Sequence, residues 1–156
     1  LWETRIGMFS RFSSLLIWSA TLFLTSNSMG SLSVEEAVQK RIEMFKSSQK
    51  NIKELVKFIR SGDISASGDL VDFHVKWSGE MFLLFPAGSE ASTSNGSDAS
   101  SDIWRDTAGF KKQVAQYNLS SKALRQALKT RNIFEINETF EGLLESCKSC
   151  HKQFRN

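Results

Sequence analysis

The sequence predicts an all-α protein, and more narrowly an antiparallel four-helix bundle. Four stretches repeat their apolar residues in steps of three and four, which is the spacing of one helix face. The chain has a single proline, Pro86, so the long stretches on both sides of it can form helices. Connections of short or modest length favour antiparallel neighbours. No alternating run of polar and apolar residues indicates a sheet.

Length and composition fit one folded domain and limit its partners. The chain has 156 residues, of which 40% are hydrophobic and 24% are charged, as in a typical globular protein. Lys and Arg total 20 against 17 Asp and Glu, which gives a net charge of +3. No long run of basic residues occurs in the sequence. We therefore expect no nucleic-acid partner and no polybasic membrane anchor.

Residues 1–30 have the layout of an export signal. Arg5 and Arg11 precede a mostly apolar stretch over residues 12–24, and small or polar residues follow as far as Gly30. The apolar stretch is short for a membrane span, which takes roughly 20 residues. We predict a cleaved signal peptide over residues 1–30 and a mature domain over residues 31–156, with an uncleaved N-terminal anchor as the alternative.

The first helix is predicted to begin after Ser33, because Ser33 and Glu36 have the spacing of a capping box. Gly62 is its expected end. One face carries a seam of apolar residues: Val34, Val38, Phe45, Ile52, Leu55 and Ile59. Two seam positions, Arg41 and Ser48, are not apolar. A cation on an apolar face is costly unless it is paired, so Arg41 is a candidate binding residue.

A second helix is predicted over about residues 66–85, although Gly79 lies inside it. Its shared face carries Leu70, His74, Trp77, Met81 and Leu84. Residues 86–102 are rich in Ser, Gly, Ala and Asp and have no periodicity. We expect this segment to be a solvent-exposed loop.

The third helix is predicted to begin at an Asp102 N-cap. Its seam is Ile103, Phe110, Val114, Tyr117, Leu124 and Leu128. The fourth helix follows with Ile136, Phe140, Leu143, Cys147, Cys150 and Phe154 on one face, in steps of four and three.

The segment from Cys147 to His151 is the strongest chemical signal in the chain. It reads Cys-Lys-Ser-Cys-His, which is the attachment motif of c-type haem. On a helix, Cys147, Cys150 and His151 point to one side, because residues three and four apart share a face. Two thiols can then bond the two haem vinyl groups while the imidazole reaches the iron. We expect one covalently bound haem c, with His151 as an axial iron ligand.

The Cys147–Cys150 pair has two other interpretations. A redox dithiol also has this spacing, but no βαβ pattern surrounds the pair. A zinc site needs four ligands, and the chain contains only two Cys and two His. His74, the other histidine, is expected to make no iron bond, with ligation as the less favoured alternative.

The sixth coordination position of the iron depends on the register of the first helix. Phe45 lies one turn beyond Arg41 on the same seam and would present its ring where a sixth ligand otherwise binds. Met44 is adjacent and points about 100° away from Phe45. A thioether can ligate iron, so Met44 is the competing candidate. Ordinary core packing remains an alternative for both side chains.

The motif, its position on the last helix and the flanking sequence resemble the cytochrome c′ family, the class II c-type cytochromes. The resemblance lies in residues 37–46 of the first helix, in residues 85–90 at the end of the second, and in residues 103–111 and 147–155. The resemblance covers nearly all of residues 31–156. It implies a four-helix bundle that encloses a covalent haem attached near the C-terminus.

The resemblance also implies roles for individual residues. Cys147 and Cys150 would form the thioether bonds, and His151 would be the proximal iron ligand. Arg41 matches an arginine near a haem propionate, and Arg155 matches a basic residue beside the proximal face. Phe45 falls where five-coordinate members place a bulky apolar side chain, and low-spin members place a methionine ligand there. By register this implies a five-coordinate, high-spin protein, with Met44 as the ligand if the helix is shifted by one residue.

Three functions follow from these expectations. The first is one-electron transfer with an unidentified redox partner protein. We expect it in the periplasm, because c-type haem is attached outside the cytoplasm. Binding of nitric oxide or carbon monoxide at an open iron is the second. A peroxidase-like enzyme is disfavoured, since Ser48 and Arg41 supply no distal histidine or carboxylate. We therefore expect a protein that is not an enzyme, and a homodimer is a further possibility implied by the resemblance.

Overall fold

The computed structural model describes residues 32–156. The predicted signal peptide lies outside the described residues. The helices are α1 (Val34–Ser61), α2 (Ser67–Glu80), α3 (Asp102–Arg105), α4 (Thr107–Thr130) and α5 (Ile133–Phe154), and a 3-10 turn (Met81–Leu84) follows α2. Within residues 32–156, none of the helices has the length and apolar character needed to cross a membrane.

The long helices form the predicted antiparallel four-helix bundle. Helix α1 packs on α2, α2 on α4, α4 on α5, and α5 again contacts α1. Most apolar seam residues of the four helices form one core, in which Leu55, Trp77, Leu124 and Leu143 are almost completely buried, whereas Val34 at the start of α1 is exposed. Each fully buried side chain of this size contributes roughly 1.5–3 kcal/mol to folding. The fold class predicted from the seam periodicity is therefore confirmed.

The ends of α1 are those expected from the sequence. The Ser33 hydroxyl accepts a hydrogen bond from the Glu36 amide at 3.2 Å, and the Glu36 carboxylate accepts one from the Ser33 amide at 2.8 Å. This reciprocal capping box satisfies two of the free donors at the helix start. At the other end Gly62 has a φ of 75°, a left-handed conformation that glycine adopts without a steric penalty.

The start of the third long helix differs from the prediction. Asp102 begins only the short α3, and the N-cap of the long helix α4 is Asp106, whose carboxylate accepts a hydrogen bond from the Gly109 amide at 2.9 Å. The backbone at Asp106 leaves the helical region, with φ −120° and ψ 61°, which separates the two helices. Gly109 makes this cap possible, because a Cβ there would lie 2.0 Å from the Asp106 carboxylate. Either aspartate suits an N-cap, so composition alone did not distinguish them.

The segment between the 3-10 turn and α3 is the expected loop, but only part of it is exposed to solvent. Three of its serines, Ser89, Ser97 and Ser100, are buried. The Ser100 amide donates to the Phe154 carbonyl at 3.0 Å, and the Asn156 amide donates to the Asp98 carbonyl at 2.9 Å. The buried part of the loop was not predicted, because its serine hydroxyls and carbonyls are satisfied by long-range partners, which local periodicity does not reveal. We call residues 85–101 the crossover loop.

Candidate functional site

A cavity of about 490 Å³ lies between the bundle helices and the crossover loop. Helices α1 and α5, which contact each other least among the adjacent pairs, supply much of its wall. Helices α2 and α4 contribute further apolar side chains, among them Trp77, Phe110 and Val114. From the crossover loop, Ser97 and Ala99 reach the wall. The volume is that of a cavity for a cofactor or small molecule.

Helix α5 presents the complete attachment motif to this cavity. Cys147, Cys150 and His151 all line it, and both cysteines are free thiols of intermediate burial. The three residues share one face because they lie three and four positions apart on an uninterrupted helix. The arrangement predicted from the spacing is thus present, with two thiols and one imidazole directed at the same space.

The acidity of the thiols disfavours a redox role. Desolvation raises the pKa of Cys147, and it raises the pKa of Cys150 to about 11, with the Cys147 charge adding to the effect. Reactive cysteines in dithiol enzymes have a lowered pKa instead. Within residues 32–156, no group of three or more His, Cys, Asp or Glu side chains is arranged to hold a metal ion. The half-zinc-site alternative therefore finds no further ligands in that part of the chain.

His151 is suited to act as a neutral nitrogen ligand. Desolvation, followed by the positive charge of Arg155, lowers the pKa of His151. A lowered pKa favours the uncharged imidazole, which is the form that binds a metal. His151 borders the cavity on one side and is exposed to solvent on the other. A cofactor bound through His151 would therefore lie near the protein surface.

The structure separates the two candidates for the sixth position. Phe45 lines the cavity, and its ring centroid lies 6.2 Å from that of His151. The Phe45 ring also packs edge to face against Trp77, with the ring centroids 5.4 Å apart. Met44 is not a lining residue and packs, partly buried, against the hydrophobic core. The register expected for α1 therefore brings Phe45 to the cavity and turns Met44 away from it.

Arg41 borders the cavity, and its guanidinium is hydrogen-bonded to the crossover loop and to Leu84, the residue that precedes the loop. The side chain is only 2% exposed. Its Nη1 donates to the Leu84 carbonyl at 3.1 Å and to the Ser89 hydroxyl at 2.7 Å. Its Nη2 donates to the Ser97 hydroxyl at 2.7 Å and to the Ser89 carbonyl. The Phe85 ring lies under the guanidinium at 4.6 Å. The contact with a haem propionate stays a prediction.

Arg155 follows α5 directly and lines the cavity from the same end as His151. Its guanidinium pairs with the Asp98 carboxylate at 2.7 Å, and its amide donates to the His151 carbonyl at 3.2 Å. Arg155 also forms a backbone bridge with Ala99. Arg155 therefore fixes the crossover loop near His151, and its role beside the proximal face of a haem stays a prediction.

One polar cluster was missed by the sequence analysis. His74 is completely buried, and its Nδ1 lies 2.5 Å from the Tyr117 hydroxyl and 3.5 Å from the Ser48 hydroxyl. Desolvation lowers the pKa of His74 to about 4 and raises the pKa of Tyr117. Ser48 and Tyr117 line the cavity, whereas His74 lies behind them. The available signal was that all three occupy seam positions of different helices.

The site residues fit a covalently bound haem. Haem c needs two thiols and an imidazole on one face, beside a largely apolar cavity, and Cys147, Cys150 and His151 meet that need. The indole Nε1 of Trp77 is also buried without a hydrogen-bond partner among residues 32–156, in a side chain that lines the cavity. An unpaired buried donor is typical of a site that a further group completes.

Comparison with known protein families gives a match over most of the described residues. The sequence profile of the family described as Cytochrome C' matches residues 36–155. Comparison of the sequence with curated proteins gives no match.

Three similar solved structures show the same fold. Cytochrome c' from Thermochromatium tepidum has a TM-score of 0.74 at 16% identity, covering 81% of this chain and 98% of the other. A cytochrome c' with ligand-controlled dimer dissociation has a TM-score of 0.75 at 15% identity, with the same coverage. A nitric oxide complex of a cytochrome c prime variant from Alcaligenes xylosoxidans has a TM-score of 0.71 at 21% identity, covering 81% and 99%.

Proposed function

Because the chain belongs to the cytochrome c′ family of haem c proteins, we propose that it transfers single electrons in the periplasm through a five-coordinate haem iron. Haem c supplies a one-electron redox change, and the protein sets its potential through ligation, burial and hydrogen bonds. Cys147 and Cys150 hold the group by thioether bonds. His151 ligates the iron, and Arg155 holds the crossover loop beside it.

The proposal of a five-coordinate iron depends on a single observation. Phe45, and not Met44, lines the cavity next to His151. A phenyl ring offers no lone pair to iron, so Phe45 shields the sixth position without filling it by a bond. Rotation of Met44 into the cavity would require a change of register along α1, whose capping box fixes the start of the helix. The low-spin, Met44-ligated carrier is therefore the less favoured form.

Electron transfer is supported by the surface around the motif. His151 reaches solvent, and three basic residues surround it: Lys148, Lys152 and Arg155. Lys148 pairs weakly with Glu145 at 3.5 Å, and Arg155 pairs with Asp98. Lys152 takes part in none of the ion pairs formed by residues 32–156. Lys152 therefore carries the positive charge on this surface that no ion pair offsets, and such a charge attracts an acidic redox partner.

Binding of a diatomic gas is the second candidate. The cavity beside Phe45 has room for a small ligand, and a relative from Alcaligenes xylosoxidans forms a nitric oxide complex. Another relative shows ligand-controlled dissociation of a dimer. A homodimer stays a prediction for the present chain. We propose binding and electron transfer, not catalytic turnover, as the role of the site.

Electron exchange with an anionic reagent tests the proposed role. We expect Lys152→Glu to slow oxidation of the ferrous protein by hexacyanoferrate(III) several-fold at low ionic strength, because the attraction near the haem is reversed. The difference should vanish at high salt, where the Debye length falls to about 3 Å at 1 M. Lys129→Glu, at the far end of α4, is the control with the same charge change. Equal rates for both variants would contradict electron transfer through the motif's surface.

A further inference from the structure

The cavity wall next to Phe45 is polar, although the surrounding core is apolar. Ser48 lies three residues after Phe45 on α1, so the two share a helix face. Tyr117 from α4 and Trp77 from α2 line the same cavity, and Trp77 contacts the Phe45 ring at 5.4 Å. Three helices thus bring a serine hydroxyl, a phenol and an indole to one region. Each of these groups can donate a hydrogen bond.

His74 holds the Tyr117 hydroxyl from behind the cavity wall. Its Nδ1 lies 2.5 Å from the Tyr117 oxygen, and its Nε2 is buried without a partner among residues 32–156. A buried N–H without an acceptor is rarer in proteins than an acceptor without a donor. We therefore assign the hydrogen to Nδ1, which donates to the Tyr117 oxygen. The Tyr117 proton is then free to point toward Ser48 or into the cavity.

Trp77 provides an independent observation. Its side chain is 1% exposed, and its indole Nε1 has no hydrogen-bond partner among residues 32–156. Trp104 shows what the same group does when an acceptor is present, since its Nε1 donates to the Pro86 carbonyl at 3.1 Å. Burial of an unpaired donor in a cavity wall costs free energy that an acceptor inside the cavity recovers. The occupant of this cavity should therefore carry a hydrogen-bond acceptor near Trp77.

We propose that Ser48, Tyr117 and Trp77 form a hydrogen-bond-donating subsite for a small anion or polar diatomic molecule that enters the cavity, with His74 as the positioning residue for Tyr117. The inference rests on the proposed function, because such a molecule reaches the iron only if the sixth position is open. All three wall groups donate, so the subsite favours a ligand whose outer atom is negative. A nonpolar ligand of the same size gains little from it.

Matched ligands reveal the subsite in the haem-loaded protein. Cyanide is a linear anion whose nitrogen accepts hydrogen bonds, whereas carbon monoxide has a similar shape and is a poor acceptor. We expect Tyr117→Phe to raise the Kd for cyanide on the ferric protein at least about tenfold, which is the lower end of the range for one hydrogen bond to a charged group. The Kd for carbon monoxide on the ferrous protein should change less than about threefold. Infrared spectra should show a higher C–O stretching frequency in the variant, because a donor near oxygen is lost.

Further variants separate hydrogen bonding from packing. Ser48→Ala and His74→Leu should weaken the binding of cyanide with the same selectivity over carbon monoxide. Ser47→Ala, on the exposed face of α1, should leave the Kd of both ligands unchanged. Thermal unfolding of each variant shows whether the fold is retained. If the Kd values of cyanide and carbon monoxide change in parallel, or if neither changes, the proposed subsite is overturned and the proposed function stays intact. A wild-type iron closed to both ligands would overturn the proposed function, and the subsite with it.

Discussion

The Asp98 carboxylate pairs with the Arg155 guanidinium at 2.7 Å, which joins the crossover loop to the residue after helix α5. The pair is exposed on both sides, at 59% for Asp98 and 56% for Arg155. Exposed ion pairs stabilise proteins by only about 0.2–1 kcal/mol. The pair therefore fixes the position of the loop beside His151 more than it stabilises the fold, and the neighbouring Ala99–Arg155 bridge shares that task.

Removal of this ion pair should have a small and salt-sensitive effect. We expect Asp98→Asn to lower the free energy of unfolding by less than about 1 kcal/mol, with the difference reduced at high salt. Urea denaturation at low and high ionic strength measures both values. A loss of several kcal/mol, or one independent of salt, would show that Asp98 acts through a contact other than the ion pair.

Arg41 should be far more important for stability than Asp98. Replacing it by methionine keeps an unbranched side chain but leaves buried acceptors from Leu84, Ser89 and Ser97 without their donor. We expect Arg41→Met to cost about 3 kcal/mol or more in urea denaturation. Hydrogen exchange of the crossover loop should also increase.

The control for Arg41 is Arg60→Met, which removes an exposed arginine from the last turn of α1. We expect it to change the free energy of unfolding by less than about 0.5 kcal/mol. Equal stability of the two variants would mean that the bonds of Arg41 to the loop contribute nothing net.

His74 makes stability depend on pH. Burial lowers its pKa in the folded protein to about 4, whereas an unfolded histidine titrates near 6.5. Between these values the unfolded chain binds more protons, so the contribution of His74 is fully present above pH 6.5 and is lost as pH falls toward 4. We expect the wild type to lose about 2 kcal/mol more than His74→Leu between pH 7 and pH 5. Equal losses in denaturant titrations would show that His74 is not buried in its neutral form.

Each of the two cysteines is expected to form one thioether bond to the haem. The variant Cys150→Ala should retain haem through the single thioether at Cys147, whereas the double variant Cys147→Ala/Cys150→Ala should retain none after denaturation. Mass spectrometry of the unfolded chains distinguishes these cases, because only a covalent bond survives unfolding. Haem still bound to the unfolded double variant would mean that another residue is attached to it.

The sequence predicted what depends on local spacing. The apolar seams predicted the four long helices, and the Ser33–Glu36 capping box predicted the start of α1. The segment from Cys147 to His151 predicted the cofactor site. Each of these features is defined by residues that lie only a few positions apart in the chain. Spacings of three and four residues are therefore enough to identify it. The order of Met44 and Phe45 along α1 likewise predicted which of them lines the cavity.

Features that depend on distant contacts were not predictable in the same way. Arg41 was identified as a cation in need of a partner, but its partners lie 43 to 56 residues away in a segment without periodicity. The Ser48–His74–Tyr117 cluster joins three helices, and each member alone fits ordinary core or surface positions. Asp102 and Asp106 are equally good caps in sequence, and only the break in the backbone selects Asp106.

The proposal that the haem iron is open on the side of Phe45 is tested most directly by visible spectra of the haem-loaded protein, ferric and ferrous, with and without carbon monoxide. The structure predicts a high-spin spectrum in both oxidation states and a clear shift of the ferrous bands on addition of carbon monoxide. Met44→Leu should show the same spectra as the wild type. A low-spin spectrum that is unchanged by carbon monoxide, and that becomes high-spin in Met44→Leu, would contradict five-coordination and identify Met44 as the sixth ligand.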